Sequence, residues 1–258
     1  MSGMSLKKCI GIVGGVGPYA GLDLKRKIFD QTVAERDQDH LRVVLISSSV
    51  DIHDRTEYLL GGVGNNPAFA ISKVIQDLEL IGVDVVGIPC NTAHAPKIFD
   101  VLIDRLQEEE SQVEVIHMIK EVVRYIKRNY PMIGKVGVLA TNGTVYSDVY
   151  GKWCRLEGID VIYPDKGIQY SKVHACIYSE EFGIKAKSNP VTSAAREIIV
   201  KAIEHVFDNG AEAIILGCSE LPLAVALKEI RGRPILDANL ILARALIERV
   251  APHKLKDA

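Results

Sequence analysis

Short apolar runs alternate with longer amphipathic stretches along this 258-residue chain, and this alternation restricts its fold more than any other feature. Uninterrupted apolar runs are typical of buried parallel strands, and amphipathic stretches are typical of the helices that connect them. The predicted strands cover residues 8–13, 42–47, 84–89, 113–116, 135–140, 159–163, 212–217 and 234–236. The predicted helices cover residues 18–34, 67–81, 94–109, 117–129, 145–157, 191–209, 220–228 and 238–250. The pattern therefore predicts an α/β fold whose mostly parallel sheets are flanked by helices.

The chain carries this pattern twice. The first half opens with IGIVGGVGP and the second with KVGVLATNGT, each a strand followed by a loop of small residues. Later in each half an apolar run ends at a cysteine, Cys90 in GIPCNTAHA and Cys218 in GCSELPL. This weak duplication predicts two pseudosymmetric α/β domains with the active site in the cleft between them. Ligands of such sheets bind outside the carboxyl ends of the strands, so both thiols are expected to face one ligand.

The first of the two predicted domains is discontinuous in sequence. The first lobe comprises residues 1–115 and 232–258 and carries Cys90, while residues 116–231 form the second lobe and carry Cys218. The helix predicted at 238–250 follows a short strand and is expected to pack back on the first lobe.

Composition narrows the class of function. The 31 basic and 33 acidic residues are balanced and form no basic tract, which favours a small-molecule or protein partner over nucleic acid. The apolar stretch after Lys7-Lys8 soon meets Gly14-Gly15 and Pro18, so neither a signal peptide nor a membrane span is expected. The five cysteines include no CxxC pair, which indicates reduced thiols in the cytoplasm and no metal site.

Two thiols on opposite faces of one carbon can invert a stereocentre. One thiolate removes a proton and the opposite thiol returns one, while preorganised donors stabilise the charge on a neighbouring carboxylate. A cysteine at a strand-to-helix junction suits this role because backbone N–H groups and the helix dipole favour its thiolate. This chemistry requires no cofactor. The loops that offer donors contain Gly15, Asn91, Thr92, Thr141, Asn142, Thr144 and Ser219.

Several motifs resemble those of one family over nearly the full length of the chain. They are GIVGGVGPYAG near the start, RDQDH at 36–40, DRT at 54–56, PCNTAHA at 89–95, LATNGT at 139–144 and LGCSE at 216–220. Together they resemble the cofactor-independent aspartate racemases of the aspartate/glutamate racemase family. The resemblance implies two pseudosymmetric α/β domains, Cys90 and Cys218 as the two catalytic bases, and a homodimer.

The resemblance also implies roles for other residues. Arg55 matches the arginine that binds a substrate carboxylate, a role that suits the forked donors of a guanidinium. Asn91, Thr92, Thr141 and Thr144 match residues that surround the α-carboxylate and the amino group.

The residue that would bind a distal carboxylate is ambiguous in the sequence. The family's lysine follows an Ile-Tyr motif, here Ile177-Tyr178, but a gapless alignment places Phe182 at that position. Lys185 takes the position only if three residues are inserted. The preferred substrate is therefore aspartate or glutamate if Lys185 serves, and a non-acidic amino acid remains an alternative.

Other functions stay open on the sequence alone. They are isomerisation of a dicarboxylic acid of the maleate type, decarboxylation, and amino-acid binding without turnover. A dinucleotide site is a further alternative, because GVGPYA follows a strand, but Pro18 interrupts that fingerprint and the second strand ends without an acidic residue.

Overall fold

The computed structural model describes residues 8–62 and 64–257, which form two β-sheets flanked by helices. The strands of the first sheet are β1 (Ile10–Gly14), β2 (Val43–Ser47), β3 (Val85–Gly87) and β4 (Glu114–Ile116). All of them are parallel, in the order β2-β1-β3-β4.

The second sheet repeats that order. Its strands are β5 (Lys135–Leu139), β6 (Asp160–Ile162), β7 (Ala213–Leu216), β8 (Glu229–Ile230) and β9 (Arg233–Asp237). They lie in the order β6-β5-β7-β9-β8, and only the β8–β9 pair is antiparallel. The first four strands in that spatial order, β6-β5-β7-β9, therefore match β2-β1-β3-β4 of the first sheet. This match confirms the predicted pseudosymmetry and places β3 and β7 at equivalent positions.

Twelve helical segments connect and flank the described strands. They are α1 (Pro18–Asp30), α2 (Arg55–Gly61), α3 (Pro67–Leu80), α4 (Pro96–Glu108), α5 (Met118–Asn129), α6 (Asn142–Tyr146), α7 (Gly151–Leu156), α8 (Lys166–Ile168), α9 (Ala175–Tyr178), α10 (Ser193–Asp208), α11 (Leu221–Ala224) and α12 (Ala238–Val250). A π-helical segment, Gln169–His174, joins α8 to α9, and 3-10 turns lie at Asp37–Asp39, Asn91–His94 and Pro252–Lys254. None of the helices in the described ranges is long and apolar enough to cross a membrane.

Successive side chains of a buried strand point to opposite faces of its sheet, so the core is divided into layers. In β1, Ile10 and Ile12 join a central cluster with Val136 and Val138 of β5, whereas Val13 faces an outer cluster. Cys90 belongs to the outer cluster of the first sheet and Cys218 to that of the second. The two thiols therefore follow equivalent strands, and they pack in the equivalent outer clusters of the two sheets.

All eight predicted strands are present, with ends that differ by one or two residues, but several helices differ. The stretch predicted as one helix at 145–157 is divided into α6 and α7, because Asp148 adopts a positive φ of 46° between them. The helix predicted at 220–228 ends at Ala224, where Arg196 binds the last carbonyl. The predicted helix at 94–109 starts later, at Pro96, after a 3-10 turn.

The segment after residue 232 adds a strand to the second sheet and a helix that packs on the first. Strand β9 pairs with β7 of the second sheet, although the predicted division assigns these residues to the first lobe. Helix α12 then packs against α1, α5 and β3. A buried ion cluster reinforces this crossing, since Lys27 of α1 pairs with both Asp23 and Asp237 at the end of β9.

Candidate functional site

Cys90 and Cys218 line the same cavity at the carboxyl ends of β3 and β7. Cys90 is 8% exposed and Cys218 is 5% exposed. The cavity has a volume of about 10 Å³, roughly enough for one water molecule. The cleft is therefore closed, and an amino acid could enter only after it opens.

Both halves of the chain supply the cavity wall. Among the predicted site residues, the wall contains Arg55, Cys90, Asn91, Thr92, Thr141, Lys185, Cys218 and Ser219. The other three lie nearby: Gly15 lines an adjoining outer cavity, Thr144 lies behind Thr92, and Asn142 binds the side chain of Gln169.

Arg55 is the first residue of α2, and two backbone carbonyls hold its side chain in place. Its Nη1 donates to the carbonyl of His53 at 3.0 Å, and its Nη2 donates to the carbonyl of Val16. The side chain is 6% exposed, and its Nε has no hydrogen-bond partner among the described residues. Burial lowers the pKa of Arg55, but the neighbouring Cys90 and Asp54 raise it, and the net shift is upward. A charged donor thus lies beside Cys90.

Four threonine hydroxyls connect the two halves next to the thiols. Thr92 lies 3.1 Å from Thr141 and 2.8 Å from Thr144, measured between Oγ1 atoms. The hydroxyl of Thr56 donates to that of Thr141 at 3.2 Å. The approach of α2 to α6 is close because Gly143 has no side chain: an added Cβ would lie 2.9 Å from the Cα of Thr56. These hydroxyls form a compact group of donors for an anion.

Asn91 and Ser219, the residues that follow the two cysteines, contact each other. The Nδ2 of Asn91 donates to the hydroxyl of Ser219 at 3.5 Å, while the fully buried Tyr150 donates its hydroxyl to the Oδ1 of Asn91 at 2.5 Å. Because Tyr150 binds the amide oxygen, the amide N–H groups are left for Ser219 and the cavity.

Lys185, rather than Phe182, lines the cavity. Its Nζ lies 3.8 Å from Asp54 Oδ2 and 3.7 Å from Glu220 Oε1, and 4.9 Å from the centre of the Tyr178 ring. Burial lowers the pKa of Lys185, but Glu220 and Tyr178 outweigh it and the net shift is upward. Phe182 is not among the residues that line the cavity, and its backbone carbonyl accepts the hydroxyl of Thr192, which caps α10.

Cys218 has a different charged neighbour from Cys90. Its Sγ donates to Glu220 Oε2 at 3.0 Å. Burial and then the Glu220 carboxylate raise the pKa of Cys218 well above the usual range for a thiol, against the lowering influence of Lys185. The cleft is therefore asymmetric in charge.

A second cavity, of about 310 Å³, adjoins the closed cleft on the side of the β1 loop. Val16, Arg55, Lys185 and Glu220 line both cavities and so form the partition between them. The larger cavity also contacts Gly15 and Gly17. The larger cavity is therefore separated from the thiols only by these shared side chains.

His94 supports the Cys90 loop from behind. Its Nδ1 lies 2.9 Å from the carbonyl oxygen of Cys90, and its Nε2 accepts the backbone N–H of Met118 at 3.2 Å. Burial lowers the pKa of His94 to about 4. A neutral imidazole with Nδ1–H satisfies both contacts, so His94 acts on the backbone and not directly on the thiol.

The site also contains residues that the sequence analysis did not assign to it. Val16, Thr56, Tyr178 and Glu220 line the cavity. Their proximity to predicted residues was the available signal: Thr56 follows Arg55, Glu220 lies two residues after Cys218, and Tyr178 belongs to the Ile-Tyr motif. Within the described residues, no group of three or more His, Cys, Asp or Glu side chains is arranged to hold a metal ion.

Comparison with known proteins identifies relatives along almost the whole chain. The family model for Asp/Glu/Hydantoin racemase matches residues 13–246. The broad specificity amino-acid racemase RacX of Bacillus subtilis is 25% identical over 248 residues, covering 92% of this chain and 96% of RacX. A glutamate racemase of Roseiflexus is 32% identical over 178 residues, covering 66% of this chain and 56% of that protein.

Solved structures share the same architecture. The aspartate racemase of Picrophilus torridus superposes with a TM-score of 0.79 at 32% identity, covering 96% of each chain. Glutamate racemase of Francisella tularensis, at 18% identity and a TM-score of 0.64 over 98% of this chain and 84% of that one, shares the fold. The chain therefore belongs to the Asp/Glu/Hydantoin racemase family and is a racemase of that family.

Proposed function

We propose that the chain racemises an amino acid, aspartate or glutamate by preference, with Cys90 and Cys218 as the two bases and without a cofactor. The observation that carries the proposal is the meeting of these two thiols, from equivalent strands of two pseudosymmetric sheets, in one buried cavity. In the proposed reaction, one thiolate removes the Cα proton and the other thiol protonates the opposite face. The family, RacX and the aspartate racemase of Picrophilus torridus support this activity.

The charges of the cleft favour an acidic substrate. An acidic amino acid carries two carboxylates and one ammonium group. Arg55 and Lys185 provide two cations for the carboxylates, and Asp54 provides an acceptor for the ammonium group. Lys185 is paired with both Asp54 and Glu220 in the closed cleft, so substrate binding would exchange these contacts for contacts with the ligand.

The donors around Cys90 would stabilise the intermediate. Removal of the Cα proton moves charge onto the α-carboxylate, which we place at Arg55 and the hydroxyls of Thr92, Thr141 and Thr144. Groups fixed before the reaction stabilise such charge at little reorganisation cost. Asn91, Asn142, Ser219 and the backbone of Gly15 complete the proposed binding set.

Two further properties accompany the proposed activity. The resemblance to the family implies a homodimer, which light scattering of the purified protein tests. The five cysteines are all free, which suits the reducing cytoplasm.

Chiral chromatography of reaction mixtures tests the substrate. Purified protein is incubated with each enantiomer of aspartate, glutamate, alanine, serine and lysine, and with maleate. We expect racemisation of aspartate or glutamate at a rate well above that of the neutral and basic amino acids. Preference for a neutral amino acid would contradict the assignment of Lys185, and turnover of maleate alone would contradict racemisation.

A further inference from the structure

The two thiols of the cleft have charged neighbours of opposite sign. The Arg55 guanidinium lies beside Cys90, whereas the Glu220 carboxylate accepts the S–H of Cys218 at 3.0 Å. Both charged side chains are almost fully buried, at 6% exposure for Arg55 and 5% for Glu220. Charge interactions are strong where water is excluded, so the direct contact with Glu220 opposes a thiolate at Cys218, and it outweighs the nearby Lys185 ammonium group, which favours one.

The Glu220 carboxylate is held in place on both sides. Its Oε1 lies 3.7 Å from the ammonium group of Lys185 and packs against the β1 loop at Gly17. A Cβ at that glycine would lie 2.3 Å from Oε1, so the absence of a side chain leaves room for the carboxylate. Its Oε2 is thereby directed to Cys218, two residues before it in the chain.

We propose that Glu220 keeps Cys218 protonated, so that Cys218 is the acid of the resting enzyme and Cys90 is the base that begins the turnover. This assignment rests on the proposed two-base racemase function and extends it by distinguishing the two cysteines. The resting enzyme then turns over first the enantiomer whose Cα–H faces Cys90. Glu220 is a positioning residue in this scheme, because it acts on substrate through Cys218.

The proton balance of one turnover follows from this arrangement. Cys90 S⁻ takes the Cα proton, and the electron pair of the C–H bond remains on the substrate as a carbanion. Cys218 S–H then gives its proton to the opposite face, which leaves Cys90 as a thiol and Cys218 as a thiolate. The resting state returns when Cys218 gains a proton from water and Cys90 releases one to water, or when the opposite enantiomer reacts in reverse. The Glu220 carboxylate favours this return, because it destabilises a thiolate at Cys218.

Alkylation of each thiol as a function of pH tests the assignment without requiring turnover. The protein is treated with iodoacetamide, and mass spectrometry follows modification of Cys90 and Cys218 separately. Accessibility scales the whole rate profile of a thiol, whereas its protonation equilibrium sets the pH at the midpoint, so the midpoint is the deciding quantity. We expect a lower midpoint for Cys90 than for Cys218 in the parent protein.

The variant Glu220→Gln should move only one of the two midpoints. Loss of the carboxylate charge should lower the Cys218 midpoint by about one pH unit or more, a change of about tenfold in its thiolate fraction at neutral pH. The Cys90 midpoint should remain unchanged. Glu181→Gln, at an exposed position outside the cleft, is the matched control and should shift neither midpoint.

Two outcomes would overturn the proposal: equal midpoints in the parent protein, or an unmoved Cys218 midpoint in folded Glu220→Gln. If that variant fails to fold, ultraviolet thiolate titrations of Cys90→Ser and Cys218→Ser make the same comparison. Cys9, Cys154 and Cys176 are common to both variants, so the difference between the two titrations reports the cleft thiols. Cys218 in Cys90→Ser should ionise at a higher pH than Cys90 in Cys218→Ser, and the reverse order would overturn the proposal. Absence of racemisation alongside the expected midpoints would reject the proposed function and leave the protonation assignment standing.

Discussion

At the residue scale, Arg55 shows how one side chain serves both structure and the proposed chemistry. Its two Nη atoms donate to the carbonyls of His53 and Val16, and the guanidinium still borders the cavity beside Cys90. The backbone contacts therefore fix the orientation of a buried cation before any ligand enters. A site preorganised in this way loses less freedom on binding than one that assembles around its ligand.

Replacing Arg55 should weaken substrate positioning. Arg55→Ala should remove the charged hydrogen bonds that we propose to the substrate carboxylate, each worth about 1.5–3 kcal/mol, so kcat/KM should fall by about 10- to 100-fold or more. Steady-state kinetics give this ratio, and thermal unfolding shows whether the fold survives the loss of the backbone contacts. Arg36→Ala, at an exposed position, is the control. An unchanged kcat/KM in Arg55→Ala would remove this residue from the site.

At the scale of elements, short turns after equivalent strands bring the site together. Cys90 and Asn91 lie at the start of the 3-10 turn after β3, and Cys218 and Ser219 lie between β7 and α11. Tyr150, which precedes α7, reaches across to Asn91 and fixes its amide. Elements far apart in sequence thus share one buried hydrogen-bond network.

The variant Tyr150→Phe should destabilise the protein. The hydroxyl is the only partner of Asn91 Oδ1 among the described residues, so its loss leaves a buried acceptor unsatisfied at a cost of about 1–3 kcal/mol. Urea denaturation measures this difference in the free energy of unfolding. Tyr19→Phe alters an exposed tyrosine and should have no comparable effect. Equal stability of Tyr150→Phe and the parent would show that the contact to Asn91 carries no net energy.

The strands were predictable from sequence because each is a compact apolar run between turn residues. Helix α2 was not, since its seven residues are too few to establish a helical period, and its start depends on capping by Asp54. The segment from α8 to α9 was missed because its π-helical turn breaks the 3.6-residue periodicity. The β8–β9 hairpin was missed because β8 comprises two residues.

Within the candidate site, the sequence indicated the residues that belong to recognisable motifs. It did not indicate the residues that line the cavity only because the fold brings them there. Lys185 and Phe182 could not be distinguished along the chain, because the choice depends on the path of the loop after α9. In the structure, the Gly183 amide binds the carbonyl of Ser179, and this turn carries Lys185 towards Glu220. Glu220 was passed over because its contact with Cys218 arises only when its side chain turns back along the chain.

At the scale of the whole molecule, buried polar contacts join the two pseudosymmetric halves. Lys27 of α1 pairs with Asp237 at the end of β9, and the hydroxyl of Thr56 donates to that of Thr141. His94 adds a link from the Cys90 loop to the first residue of α5. The contacts of His94 depend on its protonation state, so the stability of the entire fold should depend on pH.

Stability should fall between pH 6.5 and about 4 as His94 becomes protonated in the unfolded chain but not in the folded one. The folded pKa is the lower of the two, so acid favours the unfolded state, with a slope of about 1.4 kcal/mol per pH unit from this residue. Burial also lowers the pKa of His117, to about 2, and this adds to the slope with the same sign.

Urea denaturation at a series of pH values measures this dependence. His94→Gln should be less stable at neutral pH but should show a slope smaller by about 1.4 kcal/mol per pH unit in that window. His253→Gln, at an exposed position, is the control for removing a histidine. An unchanged slope in His94→Gln would contradict the assignment of His94 as a buried neutral imidazole.

The most direct test of two-base racemisation is proton NMR of one pure enantiomer of aspartate or glutamate in D₂O. Two opposed thiols predict that the opposite enantiomer forms with deuterium at Cα, while the remaining substrate keeps its proton early in the reaction. Cys90→Ser and Cys218→Ser should each slow this inversion by about 10²–10⁴-fold, whereas Cys176→Ala, which alters a buried thiol of α9, should not. Early exchange of deuterium into the unreacted enantiomer, or inversion that survives either serine variant at the parental rate, would contradict the account.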